Sequence, residues 1–132
     1  MAYLRPRYAL LAYALGGLLL GFCNRPLNMI AMRFGIRAGI GTALTVNALM
    51  PLLAIGLAIF HRRVGIAWLG AVTMTLLFHL AMTLVQNRDV TQWTPRTSIT
   101  SIHPVLVVGC IGYGVLGTIA AIITANRVAR PR

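Results

Sequence analysis

Acidic residues are almost absent from this sequence. Asp89 is the only carboxylate side chain in 132 residues, and the twelve basic residues are all arginines because lysine does not occur. Catalysis by a pair of carboxylates is therefore excluded. Small proton-coupled transporters commonly rely on a carboxylate inside the membrane, but Asp89 lies in a polar stretch between apolar runs. That transport mechanism has no candidate residue here.

Nucleophiles, phosphate-binding loops and metal-ligand spacings are scarce as well. Ser98 and Ser101 are the only serines, and neither lies in a nucleophile motif. No glycine-rich phosphate-binding loop is present. His79, His103 and Cys110 lie toward the same predicted membrane surface, but no ligand spacing joins them, so a ligand site there stays an open alternative. The sequence predicts a protein that is not an enzyme and binds no metal or other cofactor.

Apolar residues far outnumber polar ones. They make up 58% of the chain, whereas charged residues make up 10%, and the mean hydropathy is +0.81. An average soluble domain carries about 25% charged residues. A soluble fold of this length could not bury so much apolar surface, so the lipid bilayer is the predicted solvent. The arginines flank the apolar runs, which favours anionic lipid headgroups over nucleic acid as their partner.

Four apolar runs predict an all-α polytopic membrane protein that forms a single domain. The second run is the clearest, because at about 1.5 Å per residue it reaches roughly 34 Å, enough to cross a hydrocarbon core of about 30 Å. It is followed at once by His61-Arg62-Arg63. The predicted transmembrane helices cover residues 8–23, 38–60, 64–85 and 105–125.

A short interfacial helix is predicted at residues 26–37, directly after the first span. Pro26 suits the start of a helix, and the apolar residues that follow fall on one side of a helical wheel, opposite Arg33 and Arg37. The alternative is one long first span that contains Arg25. An arginine within the hydrocarbon costs at least about 2.5 kcal/mol, so the interfacial helix is preferred.

Three polar residues within the predicted spans are candidate functional positions, namely Asn47, Thr75 and His79. Asn47 lies one turn before Pro51, where a kink is expected. Thr75, His79 and Thr83 are spaced four residues apart and therefore share one helix face. Each candidate could bond a neighbouring helix or line a polar path. An ionisable residue inside a membrane is a functional candidate by default.

Small residues mark the candidate helix-packing positions. Gly17 and Gly21 form a G-x-x-x-G step in the first span, which lets another helix approach closely. In the fourth span, Gly117 and Ala121 repeat at a four-residue step, and Gly114 lies on a neighbouring row. The fourth span is therefore predicted to be the main packing face.

The first half of the chain partly resembles the small four-span fluoride channels. The matching positions are Gly16-Gly17, Arg25, Gly41-Thr42 and Val46-Asn47. This resemblance implies an ion channel. That family carries a threonine- and phenylalanine-rich break in its third span, whereas the third span here holds only Thr73-Met74-Thr75 and one phenylalanine. The family is therefore not assigned to this chain.

The arginines also predict an orientation. With four spans, both termini and the turn at His61-Arg62-Arg63 lie on one side of the membrane. That side holds seven arginines, which are Arg5, Arg7, Arg62, Arg63, Arg127, Arg130 and Arg132. The other side holds five, which are Arg25, Arg33, Arg37, Arg88 and Arg96. Basic segments tend to stay in the cytoplasm, so both termini are predicted to be cytoplasmic in a bacterial inner membrane.

Together these features predict a small integral membrane protein that is a non-enzymatic accessory or assembly subunit, acting through helix–helix contacts in a larger membrane complex. The scarcity of catalytic groups and the small-residue fourth span favour this interpretation. The alternative is a small ion channel or transporter that works as a homo-oligomer, with Asn47, Thr75 and His79 along its path. The predicted partners are thus the lipid bilayer and either other membrane subunits or further copies of the chain.

Overall fold

The computed structural model describes residues 4–37, 39–87 and 104–129, except for the side chains of residues 86, 87, 104 and 105. Helices account for nearly all of these residues, and the described ranges contain no strand. In chain order the elements are α1 (Pro6–Arg33), α2 (Ile40–Leu44), a π-helical turn (Thr45–Leu49), α3 (Met50–His61), α4 (Val64–Asn87) and α5 (Pro104–Ala129).

Four segments are long and apolar enough to cross a membrane, which confirms the predicted all-α polytopic fold. The second of them combines α2, the π-helical turn and α3 into one continuous span. The third span has its predicted limits, whereas the first extends beyond its prediction at both ends and the second and fourth extend beyond theirs at the C-terminal end. The four segments are Pro6–Arg33, Ile40–His61, Val64–Val85 and Leu106–Ala129.

The prediction of a separate interfacial helix at residues 26–37 is wrong. α1 continues through Pro26 to Arg33 as one helix of 28 residues, about 42 Å long at roughly 1.5 Å per residue. Arg25 lies on the exposed side of this helix, so a continuous helix does not bury the guanidinium in the core, and the long side chain can extend toward the headgroups. Asn24 is buried on the side that packs inside the bundle. Packing of that inner face therefore favours a continuous helix at a position where local propensity favours a break.

The second span is widened just before Pro51. Proline has no backbone N–H, and its ring crowds the carbonyl group four residues earlier in a regular helix. Here the chain forms a π-helical turn over Thr45–Leu49, and the N–H of Met50 bonds the carbonyl oxygen of Thr45. The carbonyl of Val46 consequently receives neither the N–H of Met50 nor one from Pro51, which has none to donate.

The four spans pack as a bundle in which α4 lies between α1 and α5, and α5 also packs against α3. α1 contacts α2 and α3 as well. Leu4 N donates to the carbonyl oxygen of Phe60 at 3.4 Å, so α1 begins beside the end of α3. All four spans contribute to the core, which consists of Tyr13, Met50, Ala54, Ala71, Met74, Phe78 and Tyr113.

The glycines of the first span lie against α4. A Cβ atom on Gly17 would collide with the backbone carbonyl of Met74, and one on Gly21 would lie 2.6 Å from both the Cβ of Ala81 and the carbonyl oxygen of Phe78. These two glycines therefore let the backbones of α1 and α4 approach closely.

The small residues of the fourth span also pack within the same chain. A Cβ atom on Gly114 would collide with the ring of Trp68, and one on Gly117 would lie 3.2 Å from the Cβ of Ala67. Ala121 is fully buried. These positions are thus occupied by contacts inside the bundle and do not form a free packing surface.

The close approach of α1 and α4 gives a first prediction. Replacing Gly17→Ala places a methyl group against the α4 backbone, which cannot yield as a flexible side chain can, so we expect a loss of about 1–3 kcal/mol in stability. The measurement is thermal unfolding in mild detergent. Gly112→Ala is the matched control, because a Cβ there meets nothing within 4 Å. An equal loss in both variants would contradict this account of Gly17.

Candidate functional site

A pocket of about 250 Å³ lies between the second, third and fourth spans. It occupies the half of the bundle away from the turn at His61-Arg62-Arg63, because it is formed by the beginning of the second span, the second half of α4 and the beginning of α5. Its wall is mostly apolar, with a few polar side chains. The lining residues are Thr42, Val46, Met50, Thr75, Phe78, His79, Met82, Leu106, Gly109 and Tyr113.

One wall of the pocket is fixed by the π-helical turn. Tyr113 donates a hydrogen bond from its hydroxyl group to the carbonyl oxygen of Val46 at 2.6 Å. This carbonyl is the one left without a backbone donor before Pro51, so α5 supplies the partner that the second span lacks. A buried backbone carbonyl without a partner is costly in an apolar environment, and the bond therefore ties α5 to the second span beside the pocket.

The pocket includes two of the three candidate polar residues. Thr75 and His79 both line it, and Thr75 is buried and donates its hydroxyl hydrogen to the carbonyl oxygen of Ala71 at 2.7 Å. Asn47 does not line the pocket. It lies on the exposed side of the second span and donates from Nδ2 to the carbonyl oxygen of Ala43 at 2.8 Å. The structure therefore does not place the three residues along one path.

The rim of the pocket is tied to α1 through Asn28. The side-chain oxygen of Asn28 accepts the backbone N–H of Gly41 at 2.9 Å, and its Nδ2 donates to the hydroxyl oxygen of Thr42 at 2.9 Å. α2 begins without a side-chain cap of its own, so a residue of another helix satisfies one of its unpaired N–H groups. Asn24, one turn earlier, is also buried, and its Oδ1 has no hydrogen-bond partner among the described residues.

A second polar network closes the opposite end of the bundle. The backbone N–H of Arg63 donates to Nδ1 of His61 at 3.1 Å, so the neutral ring carries its proton on Nε2. Nε2 then donates to the hydroxyl oxygen of Tyr13 at 2.9 Å, and Tyr13 donates to the carbonyl oxygen of Ala54 at 3.3 Å. His61 is only 3% exposed and Tyr13 is fully buried. This chain of hydrogen bonds joins the first span to the second.

The sequence alone indicates a different role for His61 and none for Tyr113. In the sequence His61 stands next to two arginines and marks the basic turn, and its partner Tyr13 is 48 residues away. Tyr113 lies among small residues with no polar neighbour in the pattern. The one sequence signal for the role of Tyr113 is Pro51. A proline inside a helix leaves a backbone carbonyl without its N–H donor, so another group must donate to that carbonyl.

The described part of the structure does not bring His79, His103 and Cys110 together as a ligand site. His103 lies outside the described residues, and Cys110 is half-buried but does not line the pocket. Within residues 4–37, 39–87 and 104–129, no group of three or more histidine, cysteine or acidic side chains is placed to hold a metal ion.

The geometry of the bundle defines a small all-α protein with four membrane-spanning helices and an apolar pocket between three of them. No family model, no curated protein and no solved structure matches this chain. Its function is therefore inferred from its own residues.

The His61 network gives a second prediction. Tyr13→Phe leaves the Nε2 hydrogen of His61 without its acceptor and removes the bond from the tyrosine hydroxyl to the carbonyl of Ala54. We therefore expect stability to fall by about 1–3 kcal/mol. Tyr8→Phe is the matched control, since Tyr8 is 50% exposed and loses only a hydroxyl group outside the bundle. Thermal unfolding of both variants in the same detergent measures the difference. Similar melting temperatures for the two variants would contradict the network.

Proposed function

We propose that this protein is a non-enzymatic accessory or assembly subunit of a larger membrane complex, and that it binds its partner through the outer face of its second span. The observation that carries this proposal is the position of Asn47. Its side chain is exposed, and among the described residues it bonds only its own helix, at Ala43. The amide oxygen thus has no donor from a neighbouring helix of this bundle.

The depth of Asn47 makes its exposure informative. The residue lies seven positions after Ile40, where the span begins, which is about 10 Å along the helix at roughly 1.5 Å per residue. An amide at this depth faces hydrocarbon unless another helix covers it. A hydrogen bond between membrane helices contributes about 0.6–2 kcal/mol. A partner helix that donates a hydrogen bond to the Asn47 oxygen would remove the cost of leaving this amide oxygen unpaired in hydrocarbon.

The surface around Asn47 suits such a contact. Leu44 and Leu52 are 53% and 64% exposed on the same span, and with Asn47 they form what we call the Asn47 face. One amide flanked by leucines combines a wide apolar contact with one directional bond, which favours a particular partner. The small-residue faces at Gly17 and Gly117 are already covered by contacts within the chain. A partner would therefore have to bind an exposed outer face of the bundle.

The rival function, a homo-oligomeric channel or transporter, has less support. Its proposed path would pass Asn47, Thr75 and His79, yet Thr75 and His79 line the inner pocket whereas Asn47 faces outward. The core residues Met74 and Tyr113 are buried at the centre of the bundle. A path along all three polar residues would have to cross this packed core.

Photo-crosslinking in cells tests the proposal. A photoreactive amino acid at Leu44 or Leu52 should crosslink to one heterologous membrane protein, whereas the same amino acid at Ile111 should not. Ile111 is the matched control because it is 52% exposed on α5. Asn47→Leu should weaken the crosslinked complex about 3-fold to 30-fold, since the loss of one interhelical hydrogen bond removes about 0.6–2 kcal/mol.

Thr73→Val controls for the loss of any exposed polar group. Thr73 bonds its own helix four residues earlier, as Asn47 does, and its replacement should leave the crosslinks unchanged. Crosslinks only between copies of this chain would favour the rival homo-oligomer. Crosslinks only to lipid, at all three positions, would contradict both functions.

A further inference from the structure

The pocket between the second span, α4 and α5 is larger than packing defects usually are. Folded interiors are close-packed, and few voids exceed the size of a water molecule. The volume here is about 250 Å³, whereas an apolar cavity of about 150 Å³ in another protein is enough to bind benzene. The pocket therefore has room for a six-membered ring with one or two substituents.

The lining of the pocket combines an apolar wall with a small polar region. Met50, Phe78 and Leu106 supply apolar surface for the flat faces of a ring. Thr42 also lines the pocket, and its hydroxyl oxygen already accepts a hydrogen bond from Asn28. Because a hydroxyl group can donate as well as accept, the hydrogen of Thr42 is left for an acceptor outside that bond.

The polar region is held in place before any ligand arrives. Asn28 bonds both Thr42 and the N–H of Gly41, which fixes the beginning of α2. On the far wall, the bond from Tyr113 to Val46 fixes the π-helical turn. π-helical turns occur frequently at functional sites. A preformed apolar pocket with a few fixed polar groups is the usual form of a small-molecule site.

We propose that this pocket binds a one-ring, largely apolar molecule that carries a hydrogen-bond-accepting oxygen, such as a phenol or a ring ketone. The ring lies between Met50, Phe78 and Leu106, and Thr42 donates to the oxygen. This site is separate from the Asn47 face, which is exposed on the outside of the bundle. Its test reports ligand binding and does not depend on the partner crosslinks.

The test uses the full chain in phosphatidylcholine nanodiscs, with 4-fluorophenol as the probe and fluorobenzene as its matched analogue without oxygen. Fluorine NMR with saturation transfer should detect saturable binding of 4-fluorophenol. Gly109→Leu should weaken this binding by about tenfold or more, because a side chain there fills the pocket and removes the apolar contacts. A Cβ on Gly109 has ordinary contacts of 3.5 Å and 3.8 Å with Tyr113 and Thr75, so the backbone tolerates it.

Two further variants separate the pocket from general effects. Gly112→Leu, on the same helix at a position with open space around its Cβ, should leave binding of 4-fluorophenol unchanged. Thr42→Val keeps the shape of the side chain and removes the hydroxyl group. It should weaken binding of 4-fluorophenol about threefold to tenfold, as expected for one hydrogen bond, and leave fluorobenzene unaffected.

Several results would overturn the proposal. Equal binding to the original chain and to a Gly109→Leu protein of unchanged helix content would mean that the probe occupies the lipid. Equal losses in Gly112→Leu and Gly109→Leu would show that the pocket is not the site. Equal affinity for fluorobenzene and 4-fluorophenol, with no effect of Thr42→Val, would mean that the pocket accepts any apolar filler, such as the end of a lipid chain.

Discussion

The arrangement of this bundle depends on one backbone carbonyl, that of Val46. In apolar surroundings every backbone polar group needs a partner within the protein. The second span cannot supply one, because the N–H of Met50 bonds Thr45 and Pro51 has no N–H. Tyr113 supplies the donor from α5 at 2.6 Å. Since the bond joins two spans, it fixes where α5 lies against the second span and thereby shapes the pocket between them.

Several other inward-facing polar side chains bond the backbone in a similar way. Asn28 caps the beginning of α2, and Tyr13 bonds the carbonyl of Ala54 while it holds His61 at the opposite end. These groups stabilise the bundle and leave little polarity for other tasks. Asn47 differs because its amide lies on the outer face of the bundle. The inner groups thus bond within the fold, whereas Asn47 has no neighbouring helix of this bundle to bond. This difference favours a role for Asn47 in helix–helix assembly.

Hydropathy predicted the four spans well, because crossing a hydrocarbon core demands long apolar helices whatever their packing. It failed at residues 26–37, where the predicted break depended on local propensity and on the cost of burying Arg25, which in fact lies on the exposed side. The candidate site was only half predictable. Thr75 and His79 stood out as polar residues inside a span, whereas the roles of Tyr113 and His61 come from partners 67 and 48 residues away, which no local pattern encodes.

A double-mutant cycle between Pro51 and Tyr113 tests this account most directly, with thermal unfolding in detergent as the measurement. Tyr113→Phe in the original chain should cost about 1–3 kcal/mol, because the carbonyl of Val46 loses its donor. In a Pro51→Ala background, residue 51 has a backbone N–H, so the second span has its own donor for the carbonyl of Val46. Tyr113→Phe should then cost well under half as much. An equal cost in both backgrounds would contradict the claim that Pro51 creates the need that Tyr113 meets.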